Sequence, residues 1–241
     1  MSLPLTGAGP SAAGGGYTSK VLGIETANLI AYWPLSEAAG AVADNAEGTA
    51  ARDGAYDGPT LGQPGIGDGA TCPSFDGIND NVAIYSASLA TAFDGDKGTY
   101  SVWFKAAAIP TTGYICGFFV DGNNYFQVYR FNADTYRFKC NTAASFIGPA
   151  YAGFTDGTWW NVVFTWLYDG SANTDYEIFR NGSSIDATQK SVGQLTGSIG
   201  NDSRIGTENA GGGNPYAGWI AHCAVWDKVL SDAQILALAT V

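Results

Sequence analysis

The sequence predicts an all-β protein, a β-sandwich of two antiparallel sheets closed by one short C-terminal helix. Three observations lead there. The 241 residues include Gly 33 and 13% aromatics but only 14% charged residues, against roughly 25% charged in an average soluble protein. Many turns and large flat side chains, with little Lys/Glu helix filler, favour strands. From Leu29 onward, short apolar runs recur between Gly/Asp/Asn clusters, the spacing of successive strands. At 25.1 kDa the chain can also bury a sizeable core.

Residues 1–19 contain no charged side chain and five glycines. Such a segment buries too little surface to offset its ordering entropy. Residues 1–26 are therefore expected to form a flexible arm, free or ordered by a neighbouring subunit, ahead of one domain over 27–241. Leu29-Ile30-Ala31-Tyr32-Trp33 reads as the first strand, stopped by Pro34. The polar, glycine-broken stretch Asp44 to Asp68 reads as a long surface loop.

Asn81 to Tyr85 alternates. Tyr100, Val102 and Phe104 share one strand face, while Ser101, Trp103 and Lys105 share the other. Tyr114–Val120, Tyr125–Phe131 and Thr135–Lys139 form a meander, turned at Asp121-Gly122-Asn123-Asn124 and Asn132-Ala133-Asp134. Trp160 to Leu167 is apolar on both faces, as a central strand would be. Tyr176–Arg180 runs into Asn181-Gly182, a strong hairpin signal. Trp219–Trp226 is the last strand. Only the end reads as helical: Ser231 and Gln234 make a capping box, and Ile235, Leu236 and Leu238 an apolar side.

In order, the segments read LIAYWPLSE, DNAEGTARDGAYDG, FDGINDNVAI, GTYSVWFKA, GTWWNVVFTWLYDG, YEIFRNGSSI, RIG and YAGWIAHCAVWDKVLSDAQI. This succession resembles the laminin-G-like, concanavalin A-like jelly-roll domains of lectins, adhesins and phage virion proteins, from about Leu29 to Leu238. The resemblance implies a jelly roll of two antiparallel sheets and a non-catalytic module on a virion surface, a decoration or tail component with glycan binding. A secreted or cell-surface lectin, hence an extracellular setting, is the alternative. The resemblance also implies a structural calcium near the loop holding Asp44 and Asn45. The aspartate that such domains carry in the last strand is replaced by Ala221, so no cofactor is required here.

Trp160, Val162, Phe164 and Trp166 form a uniformly apolar face and belong to the core. Trp159, Asn161, Val163 and Thr165 form a mixed face, expected to line an open sheet, which makes Trp159 a ligand candidate. Asn214 and Tyr216, on the loop Gly211–Tyr216, are the others.

Composition excludes more than it assigns. A net charge of −11 with only 11 scattered cations argues against a nucleic-acid backbone as partner. No run approaches the ~18–20 apolar residues of a membrane span, and the N-terminus lacks the basic and apolar regions of a secretory signal. The expected partners are neighbouring virion subunits through the arm, further copies of the chain, and a glycan. Glycoside hydrolysis needs paired carboxylates. None of the five glutamates, Glu25, Glu37, Glu47, Glu177 and Glu208, has Asp two positions later, so catalysis is not expected. Cys116 and Cys140 should be kept about 9–10 Å apart by an intervening strand, leaving Cys72 and Cys223 as the one pair the fold could join.

Overall fold

The computed structural model describes residues 16–108, 112–141, 146–170, 174–190 and 193–241. They form two antiparallel sheets packed face to face. Sheet A runs β14 (Ser183–Lys190), β13 (Thr174–Arg180), β12 (Trp160–Tyr168), β7 (Lys97–Ala106), β16 (Ala217–Trp226), β5 (Thr71–Asp76) and β4 (Thr60–Pro64), with β1 (Leu29–Trp33) also on β16. Sheet B runs β11 (Phe146–Tyr151), β10 (Thr135–Asn141), β9 (Asn124–Asn132), β8 (Gly113–Asp121), β15 (Arg204–Ile205), β6 (Asn81–Ala83), β3 (Gly54–Asp57) and β2 (Val42–Ala43).

The expected faces meet between the sheets. Tyr100, Val102 and Phe104 from β7 and Val162, Phe164 and Trp166 from β12 join Phe118, Phe126, Val128 and Phe138 from sheet B in one buried cluster. Burying a large apolar side chain of this kind contributes on the order of 2–3 kcal/mol. The meander forms as expected from its strands and turns, with Gln127 opposite both Gly117 and Lys139. Asn181 and Gly182 take positive φ, 48° and 77°, as a two-residue turn between β13 and β14 requires. The capping box forms at α3 (Asp232–Leu238).

Three expectations are corrected. The stretch 44–68 is no continuous loop, since it contains a 3₁₀ turn (Ala50–Arg52), β3 and β4. The two strands lie at or next to a sheet edge with alternating or exposed side chains, held by backbone pairing to β6 and β5 and so without an apolar signal of their own.

The C-terminus is not the only helix. α2 (Ala87–Ala92) is capped by Ser86 and inserts Leu89. Within the expected arm, α1 (Tyr17–Gly23) buries Tyr17 and Val21, one turn apart on one face. Seven residues are too few to be helical by propensity, so packing decides. Residues 17–26 thus belong to the folded body, and residues 1–15 of the arm lie outside the described residues.

α1 and α3 pack on the outer face of sheet A, where Tyr17, Val21, Ile235 and Leu238 join Trp103, Val163 and Phe179 in a second cluster. Among the described residues, no helix buries a side chain against the outer face of sheet B: the third, α2, sends Leu89 into the inter-sheet core. Among the described residues, no helix is long and apolar enough to cross a membrane.

All four cysteines are buried and free. β9 stands between Cys116 and Cys140. The pair left open in the sequence is corrected: Cys72 lies in the outer cluster of sheet A and Cys223 in the inter-sheet core, on opposite faces of the sheet.

Candidate functional site

β9 reads Tyr125-Phe126-Gln127-Val128-Tyr129-Arg130-Phe131. Period-two alternation sends Phe126 and Val128 inward and leaves Tyr125, Gln127, Tyr129 and Phe131 on the outer face of sheet B. Across the ladder, Tyr114 pairs with Tyr129 and Phe119 with Tyr125. Both pairs stack, with ring centroids 4.6 and 4.9 Å apart. Gln127 lies between the two stacks. Its cross-strand neighbour Gly117 has no room for a larger residue, because a Cβ there would sit 2.7 Å from the Phe119 ring. The Gln127 side chain is only 2% exposed, and neither Nε2 nor Oε1 has a hydrogen-bond partner among the described residues.

β10 contributes Arg137 and Lys139 to the same face, opposite Tyr129 and Gln127. The Arg137 guanidinium lies 3.6 Å from the Phe131 ring centroid, and Lys139 Nζ lies 4.7 Å from that of Tyr125. Arg137 Nε is buried and also unpartnered. On the β8 side, burial and then the charge of Glu208 push the Tyr114 phenol above its ordinary range. That keeps it a neutral hydroxyl. The site sets two stacked aromatic pairs, their rings only 6–8% exposed, beside an unspent amide that can give one hydrogen bond and accept another, a chemistry of C–H contacts and hydroxyl pairing.

The residues singled out in the sequence fall in four places. Asn214 borders this face: its carbonyl accepts from Tyr114 N at 3.0 Å and its Nδ2 donates to Glu208 Oε2 at 2.9 Å. Tyr216 is corrected. It is 0% exposed and lies within the inter-sheet core, not on an outer sheet face.

Trp159 is half-buried on the outer face of sheet A, where it packs beside the cluster that α1 and α3 form. There Lys105 Nζ lies 5.1 Å from the Trp159 ring and 4.2 Å from that of Trp219.

Asp44 is exposed. Asn45 is 5% exposed and acts as a strap: Oδ1 accepts from Tyr32 N at 2.8 Å, and Nδ2 donates to Thr49 O at 3.0 Å. Among the described residues no group of three His, Cys, Asp or Glu side chains is placed to hold a metal.

A pocket of about 250 Å³ lies on sheet A, lined by Thr165, Leu167, Asp175, Glu177 and Val229 among others. Asp175 and Glu177 are two apart on β13 and share its outer face. Looking only for Asp after Glu overlooked this acid pair in the reverse order.

Residues 76–236, more than half of the chain, match the family described as the concanavalin A-like lectin/glucanases superfamily. The chain belongs to that superfamily. No curated protein matches the sequence. Solved structures of similar fold include a mutant of Trypanosoma rangeli sialidase displaying trans-sialidase activity, with 13% identity and a TM-score of 0.70 over 92% of this chain and 36% of that one. Domain 4 of AbnA, an extracellular GH43 arabinanase from Geobacillus stearothermophilus solved with arabinotriose, has 13% identity and a TM-score of 0.61 over 88% of this chain and 98% of that one. The CBM40 of Ruminococcus gnavus IT-sialidase, bound to α2,3 sialyllactose, has 19% identity and a TM-score of 0.55 over 69% of this chain and 95% of that one. This superfamily member thus spans about a third of the sialidase chain, and at these identities the likeness is one of fold.

Proposed function

We propose that the protein is a non-catalytic glycan-binding module and that the outer face of sheet B is its binding surface. The observation that carries this reading is Gln127. A buried amide with both polar atoms unpartnered costs stability, and such a cost is borne where a ligand supplies the missing partners. The stacked pairs Tyr114/Tyr129 and Phe119/Tyr125 flank it as sugar platforms. The arabinotriose and sialyllactose complexes of the similarly folded domains support the reading by analogy.

Gln127→Met tests it, because it keeps the volume and removes the amide. The expected result is a melting temperature equal to or above that of the parent, together with loss of binding on a glycan array. Unchanged glycan binding by the variant would overturn the assignment.

One observation favours a second reading. The Asp175/Glu177 pair beside the sheet A pocket is an acid pair of the kind glycosidases use. Release of reducing sugar that Glu177→Gln abolishes would replace binding by hydrolysis. The virion setting, with the arm contacting neighbouring subunits, belongs to the proposal and rests on the sequence likeness to phage proteins. Cofractionation with purified particles, lost on deleting residues 1–15, is its expected signature.

A further inference from the structure

The polar groups left unspent around Gln127 are unequal in kind. Arg137 Nε is a buried donor without a partner, and Gln127 Nε2 is another. Lys139, directly opposite Gln127, forms no ion pair among the described residues, and neither does Arg137. The acceptor side is a single atom, Gln127 Oε1. In a chain of net charge −11, two cations two residues apart on one strand face stand without a carboxylate. Glu208, the acid of this face, lies on its far side beside Tyr114 and is bonded to Asn214.

We propose that the sugar taken by this face carries a carboxylate, received by Arg137 and Lys139, while Gln127 pairs with a neighbouring hydroxyl. The proposal rests on the glycan reading above and narrows it to acidic sugars. The chemistry follows from the donor excess: charge-assisted donors bind a carboxylate about twice as strongly as neutral donors bind a hydroxyl. Stacking on Phe131 holds the guanidinium plane in place and leaves its N–H edge free to point at the ligand.

The test is titration calorimetry of the whole protein with acidic oligosaccharides, both hexuronates and sialosides, beside the same sugars with the carboxylate esterified. At least one acidic sugar is expected to bind, about tenfold or more tighter than its ester. Arg137→Met and Lys139→Met are each expected to erase that difference, with the melting temperature as a check on folding. Equal affinity for acid and ester overturns the carboxylate assignment and leaves glycan binding standing. If neither the acidic nor the neutral sugars of an array bind, the glycan reading falls with it.

Discussion

The Tyr32 hydroxyl and Nδ1 of His222 lie 2.7 Å apart in the interior, joining β1 to the middle of β16. His222 sits at φ 52°, where the register of β16 against β7 shifts between Ala221 and Ala224. Its Nε2 is 3.2 Å from Asp68 Oδ2, both side chains being almost fully buried, and the Tyr17 ring lies 4.6 Å from the imidazole. One side chain thus ties α1, β1, the turn after β4 and β16. The chain's single histidine serves as a clasp beneath the helices.

Acid should loosen that clasp through Asp68. The His222 contact, opposed by burial, holds the Asp68 carboxyl below its ordinary pKa of 3.8. A depressed carboxylate contributes stability that is complete above its unfolded pKa and is lost as pH falls through the folded value. Asp68→Asn should therefore be less stable than the parent at pH 7, and the gap in melting temperature should shrink below about pH 4. A gap constant from pH 7 to pH 3 would refute this.

Tyr17 should behave as a core residue although the sequence places it in an arm. Its hydroxyl donates to Leu238 O at 2.6 Å and accepts from Trp103 Nε1 at 2.7 Å. Tyr17→Phe strands two buried partners, so the expected loss is about 1–3 kcal/mol, read from chemical denaturation. Deleting residues 1–15 should leave the same transition unchanged.

The thiols should be silent in the native protein. Burial pushes Cys72, Cys140 and Cys223 up to about 12, and the thiolate is the reactive form. A thiol reagent at pH 8 should label none before denaturation and all four after it, without reductant. Fewer than four in the denatured state would mean a disulfide has formed.

Asn45 should matter to folding more than calcium does. Asn45→Ala removes the acceptor of Tyr32 N and the donor to Thr49 O, at a cost of about 2 kcal/mol or more. Chelation should leave the melting temperature of the parent unchanged. A large drop on chelation would show that the loop at Asp44 holds an ion.

The strands that the sequence shows clearly are those whose side chains carry the signal themselves. β7, β12 and β16 lie inside sheet A, and the meander β8 to β10 repeats alternation and turn residues strongly enough to predict its strands and turns. β2, β3 and β4 were illegible because their neighbours' backbones hold them, and few of their side chains, Ala43 and Tyr56 among them, reach the core. α1 and α2 were illegible because six or seven residues carry too little helical periodicity to stand out. At the candidate site, a glutamine between two tyrosines on one strand face was visible in the alternation of β9. Its significance was not.

The sequence by itself determined the sandwich, the central strands, the hairpin at Asn181-Gly182 and the capped helix at Ser231, because local turn chemistry and period-two burial act within a few residues. Only the tertiary structure decided which aromatic side chains lie on an outer sheet face and which lie in the core. Trp159 and Tyr216 have the composition of ligand residues, yet α1 and α3 cover most of the sheet face that Trp159 stands on, and the inter-sheet core encloses Tyr216. The Gln127 amide stands out only in the folded protein, because no donor or acceptor among the described residues reaches it. Burial and hydrogen-bond satisfaction depend on residues distant in the chain, so strand spacing alone does not contain them.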